Sequence, residues 1–109
     1  MKLDYEIYAV DFDQTLALGE WPLAEKPNTA LIDLLVGVQE KGNKIILWTC
    51  RTGERLDAAV KLSNDNGLYF DAVNENLPEV LSMYDNVDSR KITADYYIDD
   101  KGILPDALL

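Results

Sequence analysis

The sequence predicts an α/β fold, a parallel sheet covered by helices on both faces. Three observations predict it. Short apolar runs recur along the 109 residues. Segments of helical period separate them, as strand–helix–strand crossovers require. The apolar runs also end repeatedly in polar side chains, and ligands of such sheets bind outside the carboxyl ends of the strands.

The elements follow in order. Ile7 to Val10 is an apolar run ending at Asp11, as a buried strand reads. Asp13 to Glu25 contains Gly19 and Pro22 and lacks helical period, which predicts a loop or hairpin. Pro27-Asn28-Thr29 offers helix-start chemistry. Leu31, Leu34, Leu35 and Val38 then mark one helix face, and Lys41 and Gly42 suit its end. Lys44 to Thr49 is a second strand around Ile45-Ile46-Leu47-Trp48. Thr52 or Gly53 opens a second helix, with Leu56, Ala59 and Val60 inward and Gly67 as its stop. Tyr69 to Val73 is a third strand interrupted by Asp71. Pro78 to Tyr84 reads as a short helix opening on proline. Asp85 to Lys91 is a polar loop, and Ala94 to Ile98 is a fourth strand ending at Asp99-Asp100. The tail from Gly102 is apolar and too short to assign. No repeat, low-complexity tract or linker interrupts this order, so residues 1–109 read as a single domain.

Composition removes several functions. The chain has 20 acidic and 10 basic residues, a net charge of −10. That charge argues against broad nucleic-acid or membrane-surface binding, which needs basic patches. The absence of histidine excludes Ser-His-Asp and Cys-His catalysis and His-ligated metals. A single cysteine excludes an internal disulfide framework. No apolar run approaches membrane-spanning length, and Met1 to Glu6 lacks the apolar core of a signal peptide. The expectation is a soluble cytoplasmic protein.

Four strand ends carry the candidate chemistry. Asp11 and Asp13 follow the first, Thr49 ends the second, Asn74-Glu75-Asn76 follows the third, and Asp99-Asp100 follows the fourth. Lys91 lies just ahead of the fourth. A single aspartate at a strand end ordinarily just faces water. Several converging on one sheet edge repel one another, and a hard divalent cation relieves that repulsion. Mg²⁺ suits oxygen ligands.

Asp11-Phe12-Asp13-Gln14-Thr15-Leu16, behind an apolar strand, resembles the DxDxT signature of the haloacid dehalogenase superfamily of phosphotransferases. That superfamily has four ordered motifs, matched here by Asp11/Asp13, Thr49, Lys91 and Asp99/Asp100. The resemblance covers about residues 7 to 100. It implies a three-layer, Rossmann-like parallel sheet with strand order 4-1-2-3. It also implies a phosphate monoester hydrolase. Asp11 would be the nucleophile forming an aspartyl-phosphate, and Asp13 the general acid/base. Thr49 would donate to a phosphoryl oxygen, and Lys91 would supply fixed positive charge. Asp11, the Asp13 backbone carbonyl, Asp99 and Asp100 would hold Mg²⁺, with Asp99 the direct ligand and Asp100 water-mediated, or the reverse. Arg90 competes with Lys91 for the cationic role. Cys50, Arg51 and Asn74 are the substrate-binding candidates. Cys50 has no histidine partner to make it a nucleophile. Surface solvation is the ordinary alternative for Arg51 and Arg55, and turn formation for Asn74. Trp21 and Trp48 read as packing residues.

Most members of the superfamily insert a cap domain after the first or second motif. Here a loop, one helix and one strand fill Asp13 to Thr49, and a helix, a strand and a short helix fill Thr49 to Lys91. The chain therefore reads as a minimal, capless core, with Gln14 to Leu23 as its lid. An open site accepts a phosphorylated small molecule or a phosphorylated macromolecular end, or is closed by a second subunit in a homo-oligomer. Nucleic acid enters only as a substrate. Two other classes share these parts. A receiver-like phosphoacceptor also uses strand-end aspartates, Thr, Lys and Mg²⁺, but places its acidic pair first. A non-catalytic metal-binding domain would keep the fold without turnover.

Overall fold

The computed structural model describes residues 3–21, 23 and 25–109. Expectations that fall on Met1, Lys2 and Pro22 lie outside the described residues. In chain order the elements are β1 (Ile7–Val10), β2 (Ala17–Leu18), β3 (Lys26–Pro27), α1 (Thr29–Glu40), β4 (Lys44–Leu47), α2 (Gly53–Asp65), β5 (Ala72–Val73), α3 (Pro78–Met83) and β6 (Tyr96–Ile98). A 3₁₀ turn, Pro105–Leu108, follows.

Four strands form one sheet in the order β5-β4-β1-β6, every neighbouring pair parallel. Val10 stands beside Leu47 on one side and Ile98 on the other. The residues after these strands are Asp11, Trp48 and Asp99, so one sheet edge collects the ends of β1, β4 and β6. β2 and β3 make a separate antiparallel hairpin, β2 inside the segment read as loop or hairpin and β3 just after it.

Alternation along the strands splits the core into two layers, because successive side chains point to opposite faces. Val10, Ile45 and Leu47 face α1 and α2, where they meet Ile32, Leu35, Ala59 and Leu68. Ile7, Ala9, Ile46 and Ala72 face the other way, onto Val80 of α3, Leu77 and Ile92. Helices thus cover both faces.

The helix ends form as their chemistry dictates. Asn28 caps α1, its side chain accepting from the Leu31 N–H. Gly42 and Gly67, at φ 97° and 91°, follow α1 and α2 in the left-handed conformation glycine adopts without strain. One face assignment is corrected. Leu34 is exposed and Ile32 takes the buried place, so the inward stripe of α1 runs through Ile32 and Leu35.

The third and fourth strands are shorter than their apolar runs. Asp71 and Asp95 explain part of this. Their carboxylates accept the backbone N–H groups of Ile45 and Ile7 at 2.8 and 2.7 Å, at the beginnings of β4 and β1. Each lies just before its own strand and satisfies a donor near the start of the neighbouring one. Tyr69, placed in the third strand by its apolar run, is exposed outside the ladder. No helix among the described residues is long and apolar enough to cross a membrane.

Candidate active site

β1 and β6 are adjacent, so Asp11 and Asp99-Asp100 leave the same sheet edge side by side. Carboxylate oxygens of Asp11, Asp99 and Asp100 all lie within 4.8 Å of one another. Asp11 is half-buried, and the other two are exposed. The Asp11 backbone N–H donates to the Ile98 carbonyl at 2.9 Å, which locks the two strand ends together. The Asp11 side chain accepts the Phe12 N–H at 2.8 Å.

Electrostatics mark Asp11. Burial pushes its carboxyl up from the ordinary 3.8 to about 6. The hydrogen bond from Phe12 opposes that rise, and the negative charges of Asp99, Asp100 and Asp13 add to it. A carboxylate that costs energy to ionise, beside two others, is a donor set that suits a hard divalent cation. The residues present fit Mg²⁺ in charge and ligand type.

Asp13, two residues after Asp11 and close enough to add to its repulsion, is not one of that trio and engages Arg51. Its two oxygens accept from Arg51, Oδ2 from Nε at 2.9 Å and Oδ1 from Nη2 at 2.7 Å. This is a bidentate ion pair. Arg51 is 4% exposed, so the surface-solvated alternative for it is overturned. Its guanidinium lies over the Phe12 ring at 4.7 Å and the Trp21 ring at 5.1 Å, and Nη1 donates to the Arg55 carbonyl at 3.2 Å.

The chain reverses sharply after Asp13. Gln14 adopts φ 59°, and the Thr15 and Ala17 N–H groups donate to the Phe12 carbonyl. Leu16 and Ala17 are fully buried, and Asn28 binds back to the Leu16 and Thr15 carbonyls. The base of the expected lid is therefore anchored, while Leu18 to Trp21 is exposed. Trp21 packs over both Arg51 and Arg55.

Thr49 stands two residues past β4, beyond the strand rather than in it. Its N–H donates to Asn74 Oδ1 at 2.8 Å, and its Oγ1 accepts the Arg51 N–H at 3.1 Å. Asn74 sits at φ 54°, a turn conformation that Asn tolerates, and its own N–H donates to the Leu47 carbonyl. Asn74 is thus a turn former that also holds the Thr49 backbone. Cys50 is exposed.

Lys91 is on the segment before β6, its ammonium 5.3 Å from the Tyr97 ring centroid. Among the described residues it joins no ion pair. The structure therefore brings together Asp11, Asp99 and Asp100, and separately Asp13, Arg51 and Thr49. It does not bring Lys91 into contact with either group. Asn76, which the sequence placed with Asn74 and Glu75 at the end of the third strand, has a structural place instead. Asn76 is buried and binds Asp88 and the Thr93 N–H, tying the polar loop before β6 to the end of β5. A buried Asn beside an apolar Leu77 gives no periodic signal in sequence.

No family model and no curated protein matches this chain. A solved structure does, with a TM-score of 0.78 and 33% sequence identity. It is described as the structure of a conserved protein coded by a locus from Bacteroides thetaiotaomicron, and the match covers 92% of this chain and 79% of that one.

Proposed function

We propose that this chain, which belongs to the family of that conserved Bacteroides thetaiotaomicron protein, is a Mg²⁺-dependent phosphate monoester hydrolase. The observation that carries the reading is the carboxylate trio Asp11, Asp99 and Asp100, with its ionisation-resistant Asp11, two residues before an ion-paired Asp13.

Asp11, Asp99 and Asp100 would hold the metal, with the Asp13 carbonyl added by the superfamily resemblance. The ion would neutralise the anions that must meet when a carboxylate approaches a phosphoryl group. An Asp11 oxygen attacks phosphorus, the bond to the leaving oxygen breaks, and an aspartyl-phosphate forms. Water then attacks that phosphorus, the bond to Asp11 breaks, and Asp13 accepts the water proton. Thr49 Oγ1 is the candidate donor to a phosphoryl oxygen. Lys91 lies against Tyr97 and pairs with none of the three carboxylates, so its assignment rests on motif order.

The substrate is a phosphorylated small molecule or a phosphorylated macromolecular end. The net charge of −10 favours the former, since a polyanion gains little here. The test is hydrolysis of an aryl phosphate with Mg²⁺, with chelator, and by Asp11→Asn. Metal-dependent release that the substitution abolishes supports the reading. Full activity in Asp11→Asn defeats the covalent route. Stable aspartate phosphorylation without net hydrolysis indicates a receiver-like phosphoacceptor.

A further inference from the structure

We propose that Arg51 is a positioning residue for Asp13, fixing the carboxylate that accepts the proton of the hydrolytic water. This rests on the hydrolase reading above.

The geometry carries it. A carboxylate on a two-bond side chain rotates freely unless both oxygens are held. Here both are held by one rigid fork, through Nε and Nη2. The fork is itself fixed. Phe12 and Trp21 lie against the guanidinium, Nη1 is spent on the Arg55 carbonyl, and only 4% of the residue is exposed. A side chain so enclosed and so committed to Asp13 is badly placed to grip a phosphate. Its backbone is also committed, because the Arg51 N–H donates to Thr49 Oγ1. One residue therefore sets the orientation of the proton acceptor and of the neighbouring hydroxyl. Trp21, exposed on the hairpin segment, gives the lid a direct contact with that residue.

The step at issue is breakdown of the aspartyl-phosphate. The water oxygen bonds to phosphorus, and the phosphorus–Asp11 oxygen bond breaks with its electron pair returning to Asp11. The water proton passes to an Asp13 oxygen, and inorganic phosphate leaves. Formation of the intermediate from a nitrophenyl ester needs no proton from the protein, because nitrophenolate leaves unaided. Misplacing Asp13 therefore slows the second step selectively with that substrate.

The experiment is rapid-mixing kinetics of p-nitrophenyl phosphate with Mg²⁺. It compares the unaltered protein, Arg51→Ala, Arg51→Lys, Asp13→Asn and the double variant Asp13→Asn/Arg51→Ala. Arg51→Ala should show a stoichiometric burst of nitrophenolate, then turnover slowed roughly 10- to 100-fold, the scale of a misplaced catalytic group. KM should fall along with kcat as the intermediate accumulates. Asp13→Asn should give the same signature, and the double variant should be no slower than Asp13→Asn alone. Arg51→Lys keeps the charge without the fork, serves as the second variant should Arg51→Ala not fold, and should retain the burst with a smaller loss. A raised KM without a burst, or losses that multiply in the double variant, overturns the positioning role and leaves the hydrolase reading standing. No turnover by the unaltered protein overturns both.

Discussion

Asp11→Asn should make the metal-free protein more stable while removing its activity. Asp11 ionises only against burial and three neighbouring carboxylates, which push its carboxyl from 3.8 to about 6. In the unfolded chain it has its ordinary value. Between those two pH values the folded state keeps a proton that the unfolded state has lost. Stability therefore falls as pH rises through that window, and the whole penalty is present above pH 6. Converted at ~1.4 kcal/mol for each unit of pKa, the full gap is about 3 kcal/mol. Asp11 is only half-buried, and solvent screens the repulsion, so about half of that, ~1–1.5 kcal/mol, is the realistic penalty. Asparagine keeps the shape and still accepts the Phe12 N–H. For a domain of this size the gain is roughly 5 °C or a little more in melting temperature. The assay is thermal unfolding by circular dichroism in chelator, at neutral pH and at a pH below the folded value. The gain should be present at neutral pH and shrink in acid. An Asn variant that melts at or below the unaltered protein, or gains equally at both pH values, refutes the reasoning.

The same charge argument extends to ligand and loop. Mg²⁺ should raise the melting temperature of the unaltered protein, by about 2.7 kcal/mol of stability at a hundredfold excess over Kd. Asp100→Ala should blunt that rise, and sodium at equal ionic strength should not reproduce it, as differential scanning fluorimetry would read. Asn74→Gly preserves the φ 54° turn but leaves the Thr49 N–H without its side-chain acceptor. It should cost about 1 kcal/mol in denaturant unfolding, whereas Asn74→Ala, strained as well, should cost ~2 kcal/mol or more.

Local chemistry was legible in the sequence, and cross-chain chemistry was not. Asn28, Gly42 and Gly67 announce helix ends because capping and left-handed turns are decided by one or two residues. The apolar runs announce the strands for the same reason. Leu34 misled because Leu31, Leu34, Leu35 and Val38 satisfy a helical period whichever flank of the stripe turns inward, and only packing against the sheet selects Ile32. Asp71 looked like a break in a strand and serves instead to receive the Ile45 N–H. In the site, the strand-end rule located Asp11, Asp99 and Asp100, and adjacency of β1 and β6 brings them together. The Arg51–Asp13 pair spans 38 positions, and no spacing in the sequence signals it.

That pair divides the site's four aspartates into two kinds. Asp11, Asp99 and Asp100 repel one another, and among the described residues none of them joins an ion pair, so in the proposed reading their charge is left for a cation. Asp13 is already neutralised by Arg51, so its charge serves position. Removing charge from each kind must therefore act with opposite sign. Asp11→Asn relieves repulsion, whereas Asp13→Asn leaves a guanidinium that is 4% exposed without its carboxylate. An asparagine oxygen recovers one of the two hydrogen bonds, and the Phe12 and Trp21 rings keep part of the charge stabilisation. The net loss should be about 2 kcal/mol, below that of a fully orphaned buried ion. Thermal unfolding of the two variants side by side in chelator reads both signs. If Asp13→Asn is as stable as the unaltered protein, Arg51 does not depend on the Asp13 carboxylate, and the division of the aspartates fails.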